Sequence, residues 1–507
     1  MSKIGFQNFR RFIDFKPLEY RDITFLVGRN NAGKSTMVKA LLLVNDFLKS
    51  KSIKSFSFGN NILEDTNIVT FDRAKSFYAK DDFISFNYQI DNFIIDIKIS
   101  GLKDATTADV HLFSIKDIVK GYEIKFEPNN AQLTILAVPK SSPDTETNLE
   151  STIDTLKEQL KTARKDLKAI DESKDPTDYI TKRSIVDDIE KKIKKLKELK
   201  KTQESGNSVF SVSTHIELNN SVPKIFEDFT AEMLANYSIK FNEVQSGKKQ
   251  TKEFGNLKGF KDEVFNIEKS FNSFISIIES FKIIYLGANP AKQSALFSIR
   301  DKNNALAQSI HEFYQLRLNK GELAYEFVEK WMKKFEVGES FTIKIYAGES
   351  YEVKIKINGH DVHLADMGMG SIQAMLLIFR LASIIHKTNE NDIKPTVIIE
   401  EPELNLHPKL QNLLTDLFLE VREKYYIKFL IETHSEYIIR KTQLFVKDNE
   451  YEIGPNENPL CVIYFDNEIG PYGMNYRSDG VFIQDFGTGF FDVSSRQALQ
   501  LIKKSIN

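Results

Sequence analysis

At 507 residues, with 41 % apolar and 28 % charged side chains, the chain is too long for one core and has the composition of a soluble globular protein of two to three lobes. Its net charge of −2 gives no global attraction to nucleic acid or to an anionic membrane, so any such contact has to come from a local patch. The single cysteine, Cys461, excludes an internal disulfide framework and fits a reducing cytosol. With no apolar leader and no apolar run long enough to span a bilayer, a cytoplasmic protein without a membrane partner is expected.

The chain opens with strand-like alternation (Ile4, Phe6, then Phe9), followed by Arg10-Arg11. The apolar run Ile23 to Val27 then enters Gly28-Arg29-Asn30-Asn31-Ala32-Gly33-Lys34-Ser35, and an amphipathic stretch from Met37 to Leu48 follows. Strand, glycine-rich turn and helix are the setting a P-loop requires. Backbone N–H groups across Gly28, Asn30, Asn31, Ala32, Gly33 and Thr36, together with the positive end of the helix, are suited to cradle nucleotide phosphates. Lys34 can reach the β- and γ-oxygens, and the Ser35 hydroxyl can complete the shell of Mg²⁺. ATP and Mg²⁺ are therefore the expected ligands.

Further strand patterns occupy Asp82 to Ile90, Asn92 to Ile99 and Leu112 to Val138, until the composition changes at Ser141-Ser142-Pro143. Residues 1–145 are expected to form the N-terminal half of a head. From 146 to 203, Leu149, Ile153, Leu156, Leu160, Ala163, Leu167 and Ile170 keep heptad spacing, and Val186, Ile189, Ile193 and Leu196 resume it after Pro176. This pattern predicts an antiparallel coiled-coil hairpin roughly 35 Å long; a pair of ordinary amphipathic surface helices is the plain alternative. Its lysine-rich end, interspersed with glutamate, reads as a solvated face. Residues 204–340 read as a mixed, mostly helical insertion (Val222 to Tyr237, Phe260 to Phe281, Ala305 to Phe335), with a buried strand at Ile283 to Leu286 and no catalytic constellation.

The remainder, 341–507, carries the second group of motifs. Gly368 and Gly370 open an apolar helix in Asp366-Met367-Gly368-Met369-Gly370-Ser371-Ile372-Gln373, a second anion-binding N-terminus. One nucleotide does not need two such sites, so this one is expected to meet the γ-phosphate of a nucleotide held by a second protomer. Val397-Ile398-Ile399 is suited to a buried parallel strand with Glu400 and Glu401 at its C-terminal end, where α/β sheets place their chemistry. In P-loop ATPases the first such acid stands behind Mg²⁺ and the second polarises the attacking water. A further apolar strand ends in Glu432-Thr433-His434-Ser435, and a histidine there is suited to sense the γ-phosphate.

The order of these motifs, continued through Glu400-Glu401-Pro402-Glu403-Leu404-Asn405-Leu406-His407-Pro408 and Glu432 to Glu436, resembles ABC-type ATPase heads of the RecF/SMC and OLD-like group. Within that group it is similar to the AAA-family ATPases of bacteria and archaea that share an L-H-P stretch after the second acidic strand. Asn8 to Phe12 is similar to the group's opening strand, whose basic residue, here Arg10, approaches the nucleotide; Gly489 to Asp492 looks like its tail. The resemblance implies an α/β P-loop head assembled from both chain ends, with an inserted coiled-coil hairpin and helical region, two such heads sandwiching two ATP molecules. It implies phosphate and Mg²⁺ handling by Lys34, Ser35 and Glu400, water activation by Glu401, γ-phosphate sensing by His434, and reach across to the partner by Gly368, Gly370, Ser371 and Gln373. Two departures stand out. Glu400 replaces the usual aspartate, and Gly368 stands where the signature serine belongs, so that contact falls to backbone N–H groups or Ser371. About 70 residues follow His434, without a D-x-D pair, too few for a Toprim nuclease domain. Such single-domain ATPases resemble the ATPase subunits of antiphage defence systems such as Septu, PARIS and retron-associated operons, which work with a separate nuclease or toxin effector. A DNA-clamping repair ATPase and a nucleotide-gated scaffold with little turnover stay open as alternatives.

Overall fold

The computed structural model describes residues 2–59, 68–128, 132–137, 211–215, 220–228, 251–288, 294–302, 304–391, 394–449 and 458–487, with a few single positions besides. The expected coiled-coil hairpin lies outside the described stretches.

The chain enters through a tight hairpin, β1 (Ser2–Phe9) and β2 (Phe12–Tyr20), whose turn places Asn8 and Arg10 at φ +56° and +52°. It then crosses to a second sheet through β3 (Ile23–Gly28), and the P-loop delivers it into α1 (Lys34–Leu48). The hairpin's own sheet is completed later. Beyond β4 (Ser55–Ser57) and α2 (Phe71–Ala74), strands β5 (Ile84–Ile90), β6 (Phe93–Ser100), β7 (Thr107–Asp117), β8 (Tyr122–Glu127), β9 (Gln132–Ala137) and β10 (Ser211–His215) add on antiparallel. Strict alternation sets its inner face: Ile84, Phe86, Tyr88 and Ile90 on β5, and Phe93, Ile95, Ile97 and Ile99 on β6, are all buried. That face packs on α1 and on the long helix α3 (Thr251–Ser280).

The second sheet draws on distant parts of the chain. β11 (Ile283–Leu286), β16 (Thr396–Glu400), β17 (Lys428–Thr433), β3 and β18 (Leu460–Asp466) run parallel in that order, and β19 (Gly470–Met474) closes the edge antiparallel. Both faces are covered, which explains why these strands read as unbroken apolar runs. Leu26, Ile398, Leu430 and Ile463 face α1, whereas Phe25, Val27, Val397, Ile399, Phe429 and Ile431 face the opposite layer. α1 therefore lies between two sheets, and twelve of its fifteen residues are buried. The strand at Ile283–Leu286 forms as expected but is only half-buried, because it sits at the sheet's edge.

The opposite layer holds α4 (Ala305–Gln315), α5 (Leu323–Lys334), α6 (Met369–Asn391), α7 (Pro408–Tyr425) and α8 (Glu436–Asp448). It also holds a small sheet of β12 (Phe297–Ser298), β13 (Ser340–Tyr346), β14 (Ser350–Ile357) and β15 (His360–His363). The helical pattern from Ala305 to Phe335 breaks into two helices around Gly321, at φ +93°. α6 is apolar and long enough to cross a membrane, but 67 % of that stretch is buried in this core. Its apolarity is explained by packing.

Candidate nucleotide site

Gly28 ends β3 at φ +154°, and a Cβ there would stand 2.6 Å from the carbonyl oxygen of Phe465 on the next strand. Gly33 precedes α1 at φ +108°, where a Cβ would stand 2.5 Å from the Phe12 ring. Both positions demand glycine, one for close strand approach and one for the turn. Asn30 and Asn31 stand exposed on the loop, while Ala32 and Thr36 are buried beneath it, the Thr36 N–H bonded to Gly33 O at 3.0 Å. Lys34 folds over its own loop: Nζ donates to Gly28 O at 3.0 Å and Arg29 O at 3.1 Å, and lies 3.7 Å from Glu432 Oε1. Burial pushes its amine down, while Glu432, Glu401 and Glu403 pull it back up. The loop opens onto a cavity of ≈ 580 Å³, within the range of small-ligand sites. The cavity's charged lining comprises Arg10, Arg11, Lys34, Lys39, Arg73 and Lys75 against Asp72 and Glu432, a field suited to a polyanion. Burial, then Arg73, depresses the Arg10 pKa, and burial, then Arg10, depresses that of Lys39 against the pull of Glu400 and Glu432.

Strand order decides which carboxylate meets the loop. β17 is inserted between β3 and β16, so Glu400 stands two strands, about 9.6 Å, from the P-loop strand. The acid beside the loop is Glu432, at the end of β17, whose Oε2 accepts from Ser35 Oγ at 2.9 Å. Burial, then the Glu400 and Glu401 charges, push Glu432 above the usual carboxylate range against the pull of Lys34 and Ser35. Glu432 took no role in the sequence analysis; its only signal was its place just ahead of Thr433-His434.

Glu401 leaves β16 in the left-handed region at φ +47°, its N–H bonded to Glu432 O at 2.8 Å. This turns its carboxylate towards His434, with Oε1 3.7 Å from Nε2. Burial and then Lys34 depress the His434 pKa, Glu401 opposing them, so the ring is neutral at pH 7. Beneath the pair lies a clamp that sequence reasoning also missed. Glu403 is buried, and its Oε1 accepts from Thr433 Oγ1 at 2.8 Å and from His434 N at 2.7 Å. Its Oε2 is buried without a hydrogen-bond partner, and burial raises its pKa. Gln411 joins the same two loops, donating to Leu406 O at 2.9 Å and accepting from Ser435 Oγ at 2.6 Å. The L-H-P stretch has a local purpose too: His407 Nδ1 accepts from Lys409 N at 3.3 Å as the cap of α7, with Pro408 in the first turn.

The glycines that open α6 differ from one another. Gly368 is exposed, and a Cβ there would meet open space, whereas a Cβ on Gly370 would stand 2.9 Å from Asn405 O, in the loop that follows Glu401. The N–H groups of Ser371 and Ile372 turn back onto Gly368 O at 3.0 and 3.2 Å. Gln373, expected to reach towards a partner, is 8 % exposed and committed to the interior of its own chain, because its position on α6 faces the core. The lining of the P-loop cavity includes Arg10, Asn31, Ala32, Gly33, Lys34, Ser35 and Thr36, but not Gly368, Gly370 or Ser371, nor Glu400, Glu401 or His434.

Among the described residues no three His, Cys, Asp or Glu side chains converge into a metal centre of their own. Mg²⁺ needs no such centre, since it takes one or two carboxylates and completes its shell with phosphate oxygens and water. The Ser35 hydroxyl on Glu432, and the Glu400 charge that disfavours ionisation of Glu432, fit that pattern: a divalent cation relieves the repulsion.

A parallel sheet with a P-loop strand, a neighbouring strand ending in Glu432 and His434, and a third ending in paired glutamates defines a P-loop ATPase head of α/β architecture. Residues 1–439 match the family model of the AAA ATPase domain, and the chain belongs to that family. Among solved structures, it is similar to the Smc head domain with an extended coiled coil bound to the C-terminal domain of ScpA from Pyrococcus furiosus, at 10 % identity, 100 % coverage of both chains and a TM-score of 0.38. It is similar also to an SmcHead bound to the C-winged helix domain of ScpA, at 9 % identity, 95 % coverage of both and a TM-score of 0.35. A search of curated proteins finds no match.

Proposed function

We propose that the protein is an ATP-hydrolysing switch in which two copies close head to head over two ATP molecules. The observation that carries this reading is that the P-loop and α1 already form one phosphate cradle, while a second helix start, at Gly368, is exposed with open space before it. It remains available to a nucleotide held by another copy. In this reading the P-loop N–H groups, Lys34 and Arg10 bind the triphosphate; Ser35 with Glu432 and Glu400 holds Mg²⁺, which when bound neutralises phosphate charge. Glu401 accepts the proton of the water that attacks the γ-phosphorus as the bond to the bridging β–γ oxygen breaks, giving ADP and phosphate. Neutral His434 donates a hydrogen bond to the terminal phosphate, and the Glu403 clamp sets the position of both residues. Gly368 and Ser371 contact the partner's γ-phosphate. The resemblance to antiphage ATPase subunits extends the proposal to a separate effector, a nuclease or toxin, controlled by head closure.

The test is ATP-dependent self-association, followed by light scattering of wild type and Glu401→Gln with and without ATP and Mg²⁺. The expected result is a doubling of mass, or a higher even multiple, only with ATP, and its persistence in Glu401→Gln, which binds but does not turn over. No ATP-dependent change in mass removes the head-to-head mechanism, and normal hydrolysis by Glu401→Gln removes Glu401 as the base.

A further inference from the structure

The cavity over the P-loop has one wall that phosphate chemistry does not explain. Phe77 is 100 % exposed and Tyr78 is 71 % exposed, and both line it. The segment that carries them is firmly placed. Arg10 N donates to Ala74 O at 2.7 Å, Ser76 N donates to Asn8 O at 2.8 Å, and Phe9 and Lys75 form an antiparallel bridge, so residues 74–76 run along the end of β1 beside the P-loop. Ser76 is buried, and Lys75 is tied to Asp82 at 2.5 Å. The chain then turns, with Ala79 N on Ser76 O at 3.1 Å and Tyr78 N on Ser76 Oγ at 3.4 Å, and the turn presents two aromatic rings outward. Two adjacent exposed rings at the rim of a cation-lined cavity stand where a ligand held in that cavity would meet them.

We propose that Phe77 and Tyr78 form the platform for the base of the nucleotide, resting on the reading that the P-loop holds its triphosphate. The cavity supplies the two halves of the complementarity in one space: cations at Arg10, Lys34, Lys39 and Arg73 for the phosphates, and aromatic faces for a purine. Stacking recognises the flat ring and not its edge, so the platform adds affinity for adenosine and guanosine triphosphates alike and leaves the phosphate contacts unchanged.

The experiment compares ATP with inorganic tripolyphosphate, which has the phosphates and no base, by calorimetric titration of wild type, Phe77→Ala, Tyr78→Ala and the double variant. Both side chains are exposed, so the variants are expected to unfold at the wild-type temperature. The expected result is ATP affinity lower by about tenfold in the double variant, tripolyphosphate affinity unchanged, and wild-type ATP affinity retained in Phe77→Trp. Unchanged ATP affinity in the double variant overturns the proposal while leaving the nucleotide site intact. Equal loss of ATP and tripolyphosphate overturns it as well, since the aromatics then act on the phosphate site. If wild type binds neither ligand, the nucleotide reading itself fails and the platform with it.

Discussion

Replacing Gly33 by alanine tests the geometry of the P-loop through a physical cost that can be divided in two. The backbone at φ +108° disfavours any L-residue with a Cβ, at about 1–2 kcal/mol. The new methyl group would also stand 2.5 Å from the Phe12 ring and 3.0 Å from Arg11 Cδ. Phe12 is half-buried with its ring in edge contact with Phe6 at 5.8 Å and Phe15 at 5.1 Å, so moving away from the methyl group disturbs those contacts. Overpacking of that kind costs about 1–3 kcal/mol, for a total near 2–5 kcal/mol. In a Phe12→Ala background the ring contact disappears and the backbone part and the looser contact with the flexible Arg11 side chain remain, so the double-mutant cycle is expected to show a coupling of about 1–3 kcal/mol. Urea unfolding followed by the fluorescence of Trp331, the chain's single tryptophan, is a suitable assay: that ring is fully buried in the core that also contains Val27 of the P-loop strand. A cost below about 1 kcal/mol, or the same cost in both backgrounds, would refute the reasoning.

Glu403→Gln is expected to alter the pH dependence of stability. Burial raises the Glu403 pKa in the folded chain, so wild type gains stability as pH falls through that value, in full below the ordinary glutamate pKa of about 4.3, and loses it as pH rises. The amide cannot titrate. Wild-type stability relative to the variant should therefore increase as pH falls from neutral towards the ordinary glutamate pKa of about 4.3, with a slope of at most about 1.4 kcal/mol per pH unit, and a difference in urea unfolding that stays constant with pH would contradict it. Gly370→Ala places a Cβ 2.9 Å from Asn405 O, so the loop carrying Glu401 has to shift. ATP affinity is expected to hold while turnover falls about tenfold or more, read from steady-state hydrolysis beside equilibrium binding; unchanged turnover would show that the loop yields without moving Glu401.

The features legible in the sequence were those with a local period or a local stereochemical demand. Gly28 and Gly33 mark a strand–turn–helix because only glycine tolerates their backbone angles and close neighbours, and alternation between two cores is written along β3, β16 and β17 as unbroken apolar runs. Paired acids at a strand's end, and a histidine at another's, announce chemistry by type and position. Which of these groups meet one another is a matter of strand order, and no local pattern encodes that. Only the insertion of β17 between β3 and β16 puts Glu432, rather than Glu400, on the Ser35 hydroxyl. Only the crossing of residues 74–76 beside the end of β1 brings Phe77 to the mouth of the P-loop, and only the core-facing side of α6 removes Gln373 from the surface. Parallel strands pair across long connections, so a residue's neighbours on the sheet are set by packing of the whole chain and not by its own flanks.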